Sequence, residues 1–335
     1  MQQTLKETAN ALLAAQQIAI ISHKNPDGDT LGSQLALGNA LKAAGKDVIL
    51  YNRDIVAAKF YFIAGAERIV RYQEGQALPD TVVFVDCAEP QLAGFQVTDA
   101  VLAGKTIINI DHHASNKKYG TWNYVVDTAG ANCQNIYHVL RAMELPLTAD
   151  IATALYTGLS TDTGNFMFDN VSSDTLRIAA ELKDIGANTD AVRLQLYESS
   201  SKKKIALLKY ILNNLHISED GQFAWSSISY QLIEELQPES TDIDGLINTI
   251  KDIEGVEVAM LFRGVEANRT KVSLRSKVWA DVNQIAGMFG GGGHVRASGV
   301  TIDGDVDYAA ALLAPAVQEV VNQHKQECEN KHQEF

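Results

Sequence analysis

Apolar residues in the first half of the chain gather into short runs separated by helical or turn-like stretches. Residues 18–23 (IAIISH), 47–52 (DVILYN), 81–86 (TVVFVD) and 106–111 (TIINID) are such runs. Their near-continuous Val and Ile content is what strands buried on both faces of a parallel sheet require. Behind the first run, GSQLALGNALKAAG repeats its apolar residues at helical spacing, and its Gly45 suits a helix end, so the pair reads as a strand-to-helix crossover. ANCQNIYHVLRAMEL, TADIATALYTGLS and SSDTLRIAAELKDIGA read as further helices that complete a first domain over 1–186.

Residues 187–217 carry a helical pattern and read as a connector. The Lys202 to Lys204 run inside it fits a solvated helix face better than a phosphate tether. Beyond it, QFAWSSISY, VEVAMLFRGV and RTKVSLRSK alternate like strands, while DIDGLINTIKDIEG and 306–327 look helical. The expected fold class is therefore α/β: a largely parallel-sheet domain joined by the connector to a smaller α/β domain over 218–335. The polar end, QECENKHQEF, is expected to fray. No internal repeat or low-complexity segment is visible.

With 335 residues, 46% hydrophobic and 21% charged, the chain has the make-up of a soluble protein of two domains. A net charge of −13 argues against long duplex nucleic acid as a partner, because such binding rests on many Lys and Arg contacts, and leaves a small or short anionic substrate open. Cys87, Cys133 and Cys328 are too few and scattered for a disulfide framework. The opening MQQTLKETAN lacks the character of a signal peptide, and no apolar run approaches the roughly 18 residues of a membrane span, so a cytoplasmic location is expected.

In an open α/β sheet the binding crevice lies outside the carboxyl ends of the strands. The first strand runs into SHKNPDGDTLGS, which supplies His23, Asp27 and Asp29. FVDCAEP places Asp86 at another strand end, IINIDHHASN places Asp111, His112 and His113, and STDTGNF adds Asp162 behind a helix. Each alone reads as a turn or cap residue. Together they are poorly explained as accidents, since His and Asp recur at strand end after strand end. Imidazole with carboxylate suits a divalent transition metal such as manganese, and this many carboxylates can hold two ions. Only Cys87 adjoins them, which disfavours structural zinc. Two ions about 3.5 to 4 Å apart clamp an in-line displacement at phosphorus with a hydroxide nucleophile, so phosphate ester hydrolysis leads.

The second domain offers MFGGGGHVRASG, in which Gly290, Gly291, Gly292 and Gly293 run into His294 and Arg296. Four glycines cost conformational entropy on folding, and a ligand approaching the backbone is a reason to keep them. Their amides are expected to form an anion-binding nest, with His294, Arg296 and the Arg275 of SLRSK as further donors. Ser298, Arg263 and Phe289 read as core or surface residues.

HKNPDGDTLGS, VDC, DHH and TDTGNF resemble the four motifs of the DHH phosphoesterase superfamily, and SLRSK with GGGGHVRASG resembles its DHH-associated domain. The two-domain layout is most similar to the NrnA-type branch, oligoribonucleases that also remove the 3′-phosphate of phosphoadenosine phosphate (pAp). The resemblance implies that His23, Asp27 and Asp86 bind one manganese ion and Asp29, Asp86, His112 and Asp162 the other, with Asp86 bridging. It implies that His113 donates to the scissile phosphate and that Asp111 orients its neighbours. Asn135 stands where many relatives are expected to carry glutamate. The expected activity is hydrolysis of short single-stranded RNA and small phosphorylated nucleotides. A phosphodiesterase for linear or cyclic dinucleotides and a catalytically idle RNA or nucleotide module are the alternatives, and a homodimer stays open.

Overall fold

The structure is a computed structural model that describes residues 2–73, 75–94 and 99–333. The chain divides into two compact units, Met1–Ser199 and Ser200–Phe335. In the first, β1 (Gln17–Ser22), β2 (Asp47–Asn52), β3 (Ile69–Arg71), β4 (Thr81–Val85), β5 (Thr106–Asp111) and β6 (Trp122–Val125) form one sheet in the order β3-β2-β1-β4-β5-β6. Every pairing in it is parallel. The four long strands coincide with the apolar runs of the sequence. The two edge strands, β3 and β6, are three and four residues long, too short to leave a pattern.

Strand order reverses between the neighbours β1 and β4, so their carboxyl ends flank the crevice of a doubly wound sheet. One sheet face packs Ile18, Ile20, Val83, Val85, Ile108 and Ile110 into the main core, and the other packs Ala19, Ile21, Val82 and Phe84. The helix Gly28–Ala43 is buried along almost its whole length, because it is covered by β1, β2 and the helix Ala149–Asp162. Close approach of the two helices depends on glycine. A Cβ on Gly32 would lie 2.4 Å from the Ala154 carbonyl, and one on Gly158 would lie 2.2 Å from Cys133 Sγ and 2.6 Å from Asp29 Oδ1.

The second unit has its own sheet. It comprises β7 (His216–Ile217), β8 (Phe223–Ile228), β9 (Val258–Glu266), β10 (Arg269–Ser276), β11 (Gly292–His294) and β12 (Ala297–Asp303) in the order β11-β12-β10-β9-β8-β7. Only β8 and β9 pair in parallel. Val258, Met260, Phe262, Val272, Leu274 and Val300 face the helix Val306–Gln333, while Ala259 and Leu261 pack against Leu207, Ile211, Leu246 and Ile250 on the other side. The segment read as a connector divides: its first part ends in a π-helical turn at Arg193–Tyr197 within the first unit, and the helix Lys202–Asn213 packs into the second.

One expectation changes. The glycine-rich stretch is half of a β-hairpin, in which Gly292, Gly293 and His294 pair with Gly299, Ser298 and Ala297. The last helix runs to Gln333, and the final two residues of the polar end expected to fray, 334 and 335, lie outside the described residues. Among the described residues no helix is long and apolar enough to cross a membrane.

Candidate metal centre

β1 delivers His23 directly past its last residue, and the chain then turns through Asn25, held at φ 53°, into the helix Gly28–Ala43. Asp27 caps that helix: its Oδ1 accepts from the amides of Asp29 and Thr30, both at 3.0 Å. Asp29, one residue into the helix, is buried. Its oxygens accept from the amides of Asn132 (2.6 Å) and Cys133 (2.8 Å), the first turn of the helix Asn132–Ala142, where unsatisfied amides and the helix dipole both favour a carboxylate. β4 delivers Asp86 in the left-handed region at φ 52°. β5 ends at Asp111, followed by His112 and His113. Asp162 closes the helix Ala149–Asp162, and three left-handed residues, Gly164, Asn165 and Phe166, turn the chain away behind it.

These elements bring the ligand-type atoms together. His23, Asp27 and Asp86 form one group whose donor atoms lie within 4.8 Å of one another, and Asp29, His112 and Asp162 form a second. His112 Nε2 sits 3.5 Å from Asp162 Oδ2, 3.6 Å from Asp86 Oδ1 and 3.7 Å from Asp29 Oδ2. Asp86 also falls in a third group, with His112 and His113. The imidazoles are oriented from behind: His112 Nδ1 donates to the Ala129 carbonyl and His23 Nδ1 to that of Lys24, which turns both Nε2 atoms towards the carboxylates. His113 Nδ1 donates to Asp111 Oδ1 at 2.8 Å. Asp111, fully buried, is held in turn by Asn116, and its carbonyl accepts from Asn135 Nδ2 at 2.8 Å. Asn135 therefore supports the β5 end by a hydrogen bond suited to an amide.

Thr30 is a residue that sequence reasoning misses. Its Oγ1 lies 2.6 Å from His23 Nε2, 2.7 Å from Asp86 Oδ2 and 3.0 Å from Asp27 Oδ1. Its place in the DGDT stretch is the one signal that could have found it. The amides that hold Asp29 leave none.

Crowding of acids sets the electrostatics. Burial and the charge of Asp86 push the Asp29 carboxyl up to about 7. Burial, with Asp29 and Asp86 beside it, raises Asp162 well above the carboxylate range. Asp86 goes the other way: burial opposes its charge, but the hydrogen bond and charge of His23 and the charge of His112 outweigh burial and hold it low. Burial also opposes protonation of His23, yet Asp86 and Asp27 lift it to about 9. The donor set fits a divalent cation. Asp86 Oδ1 is buried with no hydrogen-bond partner among the described residues, a costly state that a cation bound between the groups would relieve.

The second unit treats its expected donors unequally. The amides of Gly290, Gly291 and Gly293 already donate to the Gly287 carbonyl, the Ala286 carbonyl and Asn283 Oδ1. Arg296 donates to the Ala280 and Val278 carbonyls. A nest built from those amides is thus not open to an anion, and the glycines have a packing reason: a Cβ on Gly291 would lie 2.4 Å from the Gly299 carbonyl, and one on Gly293 would lie 2.6 Å from that of Ala297. Arg275 is different. It is half-buried, its guanidinium donates to the Leu274 carbonyl rather than to a carboxylate, and burial lowers its pKa. Register puts Arg275, Ala297 and His294 in one row across β10, β12 and β11.

A parallel sheet with this order, imidazoles and carboxylates at its switch point, and a second unit with a mixed sheet together define an α/β protein of the DHH phosphoesterase class. The profile of the DHH family, N-terminal domain, matches residues 17–159, and that of the DHHA1 domain matches 226–329. The bifunctional oligoribonuclease and PAP phosphatase NrnA of Thermus thermophilus is 33% identical over 315 residues, covering 90% of this chain and 89% of that protein. Its namesake in Mycoplasma genitalium is 27% identical over 303 residues, covering 89% and 92%. The crystal structure of an exopolyphosphatase-related protein from Bacteroides fragilis shares the fold with a TM-score of 0.87 at 24% identity, over 95% of this chain and 96% of that one. The chain belongs to the DHH family, in its NrnA-type branch.

Proposed function

We propose that this chain is a cytoplasmic, manganese-dependent phosphoesterase that degrades short oligoribonucleotides to mononucleotides and removes the 3′-phosphate of pAp. The carrying observation is the convergence of seven ligand-type side chains at the sheet's switch point, among them Asp86, whose buried Oδ1 has no hydrogen-bond partner among the described residues. The names of the Thermus and Mycoplasma relatives support the substrate class.

In this reading His23, Asp27 and Asp86 hold one ion, and Asp29, Asp86, His112 and Asp162 hold a second. When bound, such ions neutralise phosphate charge and lower the pKa of water, so that hydroxide can attack phosphorus in line. Asp86 serves both positions, which suits a carboxylate kept ionised by flanking imidazoles. Asp111 holds His113 through Nδ1 and raises its pKa, so that the protonated imidazole keeps an Nε2–H to donate to a non-bridging phosphate oxygen. Arg275, with His294 in the same row, holds a neighbouring phosphate by charge-assisted hydrogen bonds.

The test is release of mononucleotide from RNAs of two to twenty residues, with pAp and a cyclic dinucleotide in parallel, using manganese-loaded protein. Turnover of short RNA and pAp is expected. Faster turnover of the cyclic dinucleotide would favour the phosphodiesterase alternative, and manganese binding without any hydrolysis would favour an idle binding module.

A further inference from the structure

Asp111 is pinned at its backbone. It is the last residue of β5, and its carbonyl accepts from the Val126 amide at 3.1 Å and from Asn135 Nδ2 at 2.8 Å. The side-chain torsions of Asp111 then decide where its carboxylate meets His113. A carboxylate held by one hydrogen bond can pivot about it, whereas a second bond, to the other oxygen, fixes its plane. Asn116 makes that second bond: its Nδ2 donates to Asp111 Oδ2 at 2.5 Å, while His113 Nδ1 donates to Oδ1 at 2.8 Å.

Asn116 is itself fixed from several sides. Its Nδ2 also donates to Asn109 Oδ1 at 2.8 Å, its Oδ1 accepts from the Lys118 amide at 2.7 Å, and its own amide donates to the His113 carbonyl at 3.0 Å. A side-chain amide whose NH2 faces two oxygens and whose oxygen faces an N–H has one orientation. Behind it, Asn109 Nδ2 donates to the Cys87 carbonyl at 3.3 Å and to Tyr119 Oη at 3.2 Å, and Tyr119 Oη donates to the same carbonyl at 2.8 Å. The Tyr119 ring sits edge-on against Phe84, with centroids 5.5 Å apart. The network thus ties the end of β5 to the residue that follows Asp86. It grips His113 twice, at the carbonyl directly and at the imidazole through Asp111.

We propose that Asn116 is a positioning residue: it sets the angle of the Asp111 carboxylate and so aims His113 Nε2 at the phosphate being cut. The proposal rests on the role given to His113 in the phosphoesterase reading and adds the residue that makes the role possible. Asn116 acts through Asp111 and is none of the groups that could hold a metal. Without it, Asp111 Oδ2 loses its donor, and a buried carboxylate oxygen left so turns towards another donor, since staying unpaired is costly. The imidazole bonded to the same carboxylate turns with it. A misplacement of about 1 Å at a catalytic group can cost about a hundredfold in rate, so a modest rotation suffices. A brace for the turn alone would matter equally whether or not position 113 carries an imidazole.

A double-mutant cycle on turnover of pAp and diadenylate by manganese-loaded protein tests the role. Asn116→Ala should lower kcat about tenfold or more, with KM and manganese affinity within about twofold of wild type. In the His113→Ala background the same substitution should change kcat less than about twofold, because no imidazole is left to aim. Tyr119→Phe keeps the ring on Phe84 and removes the hydroxyl behind Asn109, so it should act in the same direction by about two- to fivefold. It carries the test should Asn116→Ala fail to fold. A second readout needs no turnover: in proton–nitrogen spectra of the histidine rings of metal-free protein, Asn116→Ala should shift His113 and leave His23 and His138 in place. Equal losses with and without His113, full activity in His113→Ala, or an unmoved His113 ring would overturn the positioning role and leave the substrate reading standing. A wild type that hydrolyses neither RNA nor pAp, with the His113 ring displaced in Asn116→Ala, would sink the substrate reading and leave the hold of Asn116 on His113 standing.

Discussion

Asp86 combines two unusual properties at one residue: its backbone is left-handed, and its carboxylate is buried with one oxygen that accepts no hydrogen bond among the described residues. Asn is among the few residues that visit this backbone region readily, so Asp86→Asn changes charge without adding strain. We expect its turnover of pAp and short RNA to fall below about one-hundredth of wild type at saturating manganese, because a neutral amide cannot balance two cations. Its far-UV circular dichroism should not change. Retention of a tenth of the rate would remove Asp86 from its bridging role. Thr30 gives a subtler test. Thr30→Val keeps the shape but removes the hydroxyl that touches His23, Asp27 and Asp86, a loss of about 1 to 2 kcal/mol. About a tenfold weaker manganese affinity is expected by isothermal titration, with Thr30→Ser close to wild type. Equal affinities in Thr30→Val and wild type would make the hydroxyl a bystander. The ligand-type residues are legible in the sequence because each directly follows a buried strand or ends a helix. Thr30 is masked by its acidic neighbours, and the amides of Asn132 and Cys133 are backbone groups that no side-chain pattern reports.

Between elements, the helices Gly28–Ala43 and Ala149–Asp162 meet through Gly32 and Gly158, with the Cys133 side chain wedged beside them. Gly158→Ala would push a methyl group into Cys133 Sγ and Asp29 Oδ1, an overpacking that costs about 1 to 3 kcal/mol. A lower thermal midpoint together with weaker manganese binding is the expected result, and an unchanged midpoint would show that the helices can separate freely. In the second unit, Asp220 ties the turn between β7 and β8 to the last helix. Burial opposes its charge, but Lys325, Ser218, the Gln222 amide and Gln318 outweigh burial and hold the carboxyl below its usual range. A depressed folded pKa contributes stability above the unfolded value, near 4, that is lost as pH falls. The stability gap between wild type and Asp220→Asn should therefore be open at pH 7 and narrow below about pH 4 in denaturant titrations. A gap independent of pH would mean the tie does not depend on charge. Element reading from sequence succeeds for β1, β2, β4 and β5, whose apolar runs are long. It misses β3, β6 and β7 for lack of length. It misses the β11–β12 hairpin because glycine carries no polarity pattern and reads as loop.

For the molecule as a whole, charge sets the reach of the substrate. The chain carries a net charge of −13. RNA of twenty residues should be cut at least about tenfold more slowly than RNA of two to five, since each added phosphate brings negative charge to a net-negative protein. Comparable rates across that range would imply a longer binding path. This charge balance is open to anyone counting residues, but the grouping of cations is not. Arg263 and Arg275 are twelve positions apart in the chain, and only strand register places them on one face.

The six side chains proposed as ligands run from His23 to Asp162, and they meet only when β1, β4 and β5 lie side by side against two helices. A polypeptide leaving the ribosome carries His23, Asp27 and Asp29 long before it carries Asp162, and it has no assembled pocket in between. On the proposed metal reading, loading therefore follows folding, and the free-metal pool where folding ends would set which ion is acquired, not whatever cation the nascent chain happens to meet.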